Sequence, residues 1–223
     1  MSEAAEPARR ETFVDHAAVY AAVGASAAAD LLRFPPEGST PFEDQLKLGS
    51  GADRFLTASN VLMTWGAQRS SGIEVIDVQH GGIEHYAGVV FGSDGTPEVS
   101  PEADVRYGPN GEAFLTAGTT ALLRWPGGRT ERKMRVVYVT DEARRAGFAL
   151  GTADEDGVIG ETAYVVEHRE DDTVWAVARG FYWAPVSGLL GLKARAAIRL
   201  AVRDTVHQLA ALAPGAASEQ KTS

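Results

Sequence analysis

From Ile73 to Phe181 the chain reads as strand after strand: IEVIDV, EHYAGVVF, EAFLTAGTTALLRW, KMRVVYVT, GFALGT, TAYVVEHR and TVWAVARGFYW. β-Branched and aromatic residues dominate these runs, as a pleated, half-buried surface requires. Between them stand SDG, YGPNG, PGG, ADEDG and EDD, clusters of Gly, Asn, Asp and Pro that reverse antiparallel strands. Such a succession restricts this part of the chain to one antiparallel sheet or partial barrel. After Pro185 the pattern changes to VSGLLGLKARAAIRLAVRDTVHQLAAL. Leu190, Ala194, Ala197, Ile198, Ala201, Val202, Val206 and Leu209 recur at helical steps, while Arg195, Arg199 and Arg203 line another face. The apolar stripe must be buried, and the sheet is its available partner. The expected fold class is therefore α+β, a strongly curved antiparallel β-sheet packed against a long C-terminal helix.

Upstream, residues 15 to 33 alternate Ala with larger apolar groups and predict a short helix or two, ended where Pro35 and Pro36 forbid continuation. PFEDQLKLG reads as a strand carrying Phe42, Leu46 and Leu48 among polar residues. In GSGADRFLTASNVLMTWGAQ, Ser50 and Asp53 have the spacing of a capping box, and Phe55, Ala58, Leu62 and Trp65 follow at helical intervals. The expected organisation is a flexible lead-in over 1–12, a single α+β domain over 13–212 and a disordered tail over 213–223. Residues 92 to 111, acidic and rich in Pro and Gly, read as an insertion with little regular structure.

Composition narrows the function. With 21 Lys and Arg against 30 Asp and Glu, the net charge of -9 repels a phosphate backbone, so no nucleic acid partner is expected. Zero cysteines exclude disulfides, thiolate catalysis and Cys-ligated metals, and suit a cytoplasmic location. MSEAAEPARRETF has no apolar core of a secretory signal. AAVYAAVGASAAADLL is too short and too rich in Ala to span a membrane.

Three motifs invite chemistry and fail on inspection. GTADEDGVIGE places Asp154 and Asp156 at calcium-loop positions around Gly157, but puts Thr152 at the first ligand and Ala163 at the closing Glu. It is expected to be a hairpin turn, its acids filling the corner. GSG before ADRF lacks both the third glycine of a dinucleotide fingerprint and the Gly-Lys-Ser/Thr of a P-loop, so no cofactor is implied. His80 and His85 lie five apart in a glycine-broken segment, which is no helical metal spacing, and no metal site is expected. Neither a G-x-S-x-G elbow nor a serine with a histidine close by supports a hydrolase triad.

The segments VGAS (Val23 to Ser26), LGSGADRFLTASNVLMTWGAQ, RVVYVTDE and GFALGTADEDGVIGETAYVVEHREDDTVWAVARGF resemble an uncharacterised bacterial and plant family, domain of unknown function nineteen-ninety. The most specific part is G-T, G-E, V-W and R-x-F, carried by Gly151, Thr152, Gly160, Glu161, Val174, Trp175, Arg179 and Phe181. The order of elements also resembles the helix-grip arrangement of START and birch-pollen-allergen-like proteins. No family activity follows from this likeness, and fold alone does not set reaction.

The function expected from these patterns is that of a binding module with an apolar cavity for a small hydrophobic or lipid-like ligand between sheet and last helix. Trp65, Tyr138, Phe148, Tyr164, Trp175 and Phe181 are its candidate apolar wall, and Glu161 and Arg179 its candidate polar groups. Two alternatives stand beside it: an enzyme of polyketide-cyclase-like type using the same cavity with Tyr138 or Glu161 as acid or base, and an interaction or structural protein with a filled core.

Overall fold

A computed structural model describes residues 18–81, 90–91, 97–98, 106–127, 130–155, 157–184 and 191–215. Seven strands form one antiparallel sheet: β1 (Thr40–Ser50), β2 (Glu74–Gln79), β5 (Thr120–Arg124), β6 (Glu131–Glu142), β7 (Arg145–Thr152), β8 (Ile159–His168) and β9 (Thr173–Trp183). A separate two-stranded ribbon pairs β3 (Val90–Phe91) with β4 (Pro97–Glu98). The spatial order is β1-β9-β8-β7-β6-β5-β2. The hairpin succession from β5 to β9 follows the turn clusters, and β1 adds to the β9 edge.

The consecutive strands β1 and β2 thus lie at opposite edges of an open sheet. Between them come α1 (Ala52–Met63) and α2 (Gly66–Ser70), which cross one face of it. The last helix, α3 (Leu192–Ala210), covers the rest of that face against β1 and β9 and touches α2. The terminal helix therefore shares the sheet with α1, which lies on β7 and β8. Phe55, Ala58 and Leu62 of α1, Phe148, Val166 and Val174 of the sheet, and Leu209 of α3 are buried in one continuous core. The arrangement is the α+β, helix-grip-like one that the sequence pattern predicts. Among the described residues, no helix is long and apolar enough to cross a membrane.

Several local expectations are corrected. The Ser50 and Asp53 capping box does not form: Ser50 still pairs with Thr173 in the sheet, and Gly51 at φ 89 is the N-cap, with no side-chain cap. The strand expected over EAFLTAGTTALLRW shrinks to Thr120–Arg124, because Gly118 adopts φ +87 in a turn that sends its N–H to Val136. The N-terminal Ala-rich stretch forms a 3-10 turn at Ala25–Ala27 and isolated turns rather than an α-helix, for a reason given by its partners below. The lead-in 1–12, residues 15–17, Asp156 and most of the strand EHYAGVVF, of the acidic insertion and of the tail lie outside the described residues.

Candidate functional site

Strand register assigns each candidate to a face of the sheet. Side chains alternate along a strand, so Trp175, Arg179 and Phe181 share one face of β9 while Val174, Ala178 and Tyr182 share the other. Glu161 is opposite Phe181, and Tyr138 is opposite Ala149, itself opposite Ala163 in line with Arg179. Phe148, Tyr164 and Ala178 pair in a row on the second face, beneath the helices. The eight candidates divide accordingly. Trp65, Phe148 and Tyr164 meet on the helix side, with ring centroids 5.7 Å apart for the first pair and 5.8 Å for the second. Tyr138, Glu161, Trp175, Arg179 and Phe181 project from the opposite side. One cavity bordered by all eight does not form.

On that opposite side, Glu161 is fully buried. Its carboxylate accepts hydrogen bonds from the Tyr20 hydroxyl at 2.8 Å, the Gly24 N–H at 2.8 Å, the Ser26 N–H at 3.0 Å and the Ser26 hydroxyl at 2.5 Å. Gly24, at φ +84, makes the left-handed step that brings both N–H groups to one carboxylate, a conformation glycine adopts without strain. That step is also what stops residues 18–33 from running on as a helix. Ser26 Oγ lies 2.8 Å from the Tyr138 hydroxyl, so Tyr138 closes the same network. Arg179 donates to the carbonyls of Ala28 at 2.6 Å and Ala29 at 2.9 Å, and its Nε lies 3.5 Å from Glu43. Tyr20, Leu31 and Phe181 pack below as a small second core, with Ile159 and Trp183 against it. Burial pushes the Tyr20 hydroxyl far above its ordinary value, and the Glu161 charge adds to the shift. Trp175 stands apart, its indole N–H donating to Thr173 at 2.8 Å and the Arg169 guanidinium 4.5 Å above its ring. This face is a clamp that fastens the N-terminal segment to the sheet, and the acceptor capacity of Glu161 is taken up by that segment.

Between the helix side of the sheet and α3 lies a cavity of about 360 Å³. Leu123, Met134, Leu150, Ala197, Leu200 and Ala201 supply most of its wall. Its polar groups come from both layers. Tyr182 hydrogen-bonds Thr162 at 2.6 Å and reaches Thr205 of α3 at 3.4 Å. Gln208 accepts from Gln68 of α2 at 3.0 Å. Burial raises the Tyr164 and Tyr182 hydroxyls above their ordinary range, so both remain protonated donors. Burial likewise raises the Asp204 carboxyl, against the opposing charges of Arg203 and His207 and the Trp125 N–H. Arg132 also lines this cavity. Its Nε is paired at 2.7 Å with Asp154, whose second oxygen accepts the Lys133 N–H at 2.5 Å. Asp154 is therefore no turn filler in ADEDG; it ties the β7–β8 hairpin to β6.

Of the eight sequence candidates, only Tyr164 borders the cavity; Arg132, Asp204, Thr205 and Gln208 were not among them. A signal existed for three of these. Arg132, Met134 and Val136 share a strand face by alternation, and Val136 is core. Ala197, Ala201, Asp204 and Gln208 follow one another at steps of four, three and four along α3.

Residues 98–208 match the model of the family described as Domain of unknown function (DUF1990), so the chain carries a domain of that family. All the cavity residues fall inside this span, whereas Tyr20 to Ser26 of the clamp lie before it. Among solved structures, a hypothetical protein from Helicobacter pylori is similar at 11% identity over 83% of this chain and 91% of its own, with a TM-score of 0.48. The di-domain ARO/CYC BexL from the BE-7585A biosynthetic pathway is similar at 12% identity over 82% of this chain, with a TM-score of 0.45; this chain spans 51% of BexL. Norcoclaurine synthase from Thalictrum flavum, in complex with dopamine and hydroxybenzaldehyde, is similar at 12% identity over 83% of this chain and 88% of its own, with a TM-score of 0.43. No curated protein matches the chain significantly.

Proposed function

We propose that this DUF1990-domain chain is a binding module for a small, mostly apolar molecule held between the sheet and α3. The observation that supports it is the cavity of about 360 Å³ between sheet and α3, a size typical of small-molecule sites. Its mixture of aliphatic walls and a few hydroxyl, amide and charged groups fits a ligand that is mainly hydrophobic with one or two polar positions. Leu200, half exposed, stands on the cavity wall and offers a way in from the surface. A cytoplasmic site of action suits a chain without cysteine.

Native mass spectrometry of the protein purified from its own host tests this reading. A co-purifying small molecule, lost when Ala201→Trp fills the cavity from α3, is the expected result. An empty wild-type protein that also binds no apolar fluorescent probe would end the proposal.

An enzyme using the same cavity is the second reading, and Asp204 is what favours it: a carboxyl held above its ordinary range beside tyrosine hydroxyls is placed to exchange a proton with a bound molecule. The co-purifying molecule separates the two readings, since an enzyme converts it on incubation and a carrier returns it unchanged.

A further inference from the structure

We infer that the cavity selects neutral ligands that carry a hydrogen-bond-accepting oxygen, and that Arg132, positioned by Asp154, is the residue that reads it. This rests on the reading of the cavity as a ligand site. Arg132 leaves β6 on the helix face, and only 11% of its side chain is exposed. The pairing with Asp154 uses Nε. Nη2 is buried and has no hydrogen-bond partner. A buried donor left unmade is costly, and a ligand oxygen that reaches it recovers that cost. Arg132 and the hydroxyl-bearing Tyr182 both line the cavity.

Charge decides which kind of oxygen fits. Arg132 is already neutralised by Asp154 at 2.7 Å, and the second carboxyl near the cavity, Asp204, adds no positive charge. A ligand carboxylate would bring a further negative charge into a half-dry site with no free cation among its described lining residues, and burying an uncompensated charge is expensive. A ketone, ester or amide oxygen accepts from Nη2 without that penalty. At the other wall, Asp204 accepts from a hydroxyl or amine of the same ligand.

Three probes with one apolar body separate these possibilities: 2-acetylnaphthalene, 2-naphthoate and 2-ethylnaphthalene. Their affinities are measured on the full chain by tryptophan fluorescence and calorimetry. The ketone is expected to bind about tenfold more tightly than the hydrocarbon, the gain of one hydrogen bond from a charged donor, and the carboxylate to bind more weakly than either. In Arg132→Met the ratio of ketone to hydrocarbon should fall to about one. Because that change strands Asp154, the double variant Arg132→Met with Asp154→Asn is measured beside it and should show the same collapse. Naphthoate binding more tightly than the ketone, or a ketone preference that survives in the folded variants, overturns the inference. Equal binding of ketone and hydrocarbon by the wild-type chain overturns it too, while leaving the cavity as an apolar site. Failure of all three probes to bind removes the binding-module reading and the inference together.

Discussion

The two faces of the sheet are filled by different chemistry. Beneath the helices, aliphatic and aromatic side chains pack around a space that they do not fill. Behind, a smaller patch is held by one carboxylate with four hydrogen bonds and by an arginine that caps two carbonyls. The first face draws on dispersion and hydrophobic area, which is non-directional and tolerates an incompletely filled space. The second depends on directed bonds in a low dielectric, where each missing partner is costly. A small stretch of chain, Tyr20 to Leu31, is thereby fixed with little apolar area, whereas three helices are needed on the other side. The difference teaches where change is possible: the helix face can exchange or add volume, and the clamp face cannot lose an acceptor.

The largest effect is expected on the clamp. Glu161→Ala leaves the N–H groups of Gly24 and Ser26 and the Tyr20 hydroxyl without their acceptor, and should cost about 3–5 kcal/mol in chemical denaturation. Glu161→Gln keeps one acceptor oxygen but turns an amide N–H₂ toward donors, so it should recover only part of the loss. Hydrogen exchange over residues 20–31 should rise in both. A loss below about 1 kcal/mol with unchanged exchange would mean the network is incidental, and the contrast between the faces would fail.

Next in size is a single added carbon on that face. A Cβ at Gly151 would stand 2.2 Å from the Tyr20 hydroxyl and 2.9 Å from Val137. Glycine is required because Tyr20 passes over the strand at that point to reach Glu161, the register partner of Gly151. Gly151→Ala should cost about 1–3 kcal/mol, the usual penalty of overpacking. The pair Gly151→Ala with Tyr20→Phe shortens the intruding side chain and should be less destabilised than the sum of the two single changes. Strict additivity of the two would show that the close approach carries no energy.

How much of this was legible beforehand follows from the same contrast. Periodicity gave the strands from β5 to β9 and the amphipathic α3, because a period of two or of 3.6 is written directly in the residues. The division of the candidates was also within reach. Glu161 and Tyr164 are three apart on one strand and must face opposite ways, and Tyr164 and Phe181 of adjacent strands follow from the hairpin register. What sequence could not supply was the partner of Glu161. Ser26 lies 135 residues away, and nothing local in VGAS or in GET announces that the two segments meet. The family pattern singled out both segments without saying that they touch. Arg132 was missed because a charged residue on a strand is usually solvated, and only its pairing with Asp154 across 22 positions makes it a buried group.

On the helix face the expected response to added volume is small. Ala201→Leu places three more carbons at the cavity wall from α3, at little cost in helix propensity. Stability should change by less than about 1 kcal/mol, against the larger cost of one carbon at Gly151. Binding of an apolar probe should weaken severalfold at the same time. A loss of stability as large as that of Gly151→Ala would show that this space is closed in solution.

The smallest effect distinguishes the polar groups of the two faces by pH. Burial holds the folded Asp204 carboxyl above its ordinary value of 3.8. A raised folded value means that the folded state binds the proton more tightly than the unfolded chain. The contribution of Asp204 is then fully present below about pH 4 and is lost as pH rises through the folded value. At pH 7 the ionised carboxylate is a mild liability, because desolvation outweighs the attraction of Arg203 and His207. Asp204→Asn removes that liability while keeping the shape. Its melting temperature should exceed that of the wild-type chain by a degree or two at pH 7, with the difference closing as pH falls toward 4. A lower melting temperature for Asp204→Asn at pH 7 would instead make the carboxylate a stabilising partner of α3. Asp204 would then resemble Glu161, and the helix face would hold a charged anchor of the kind that the contrast reserves for the clamp.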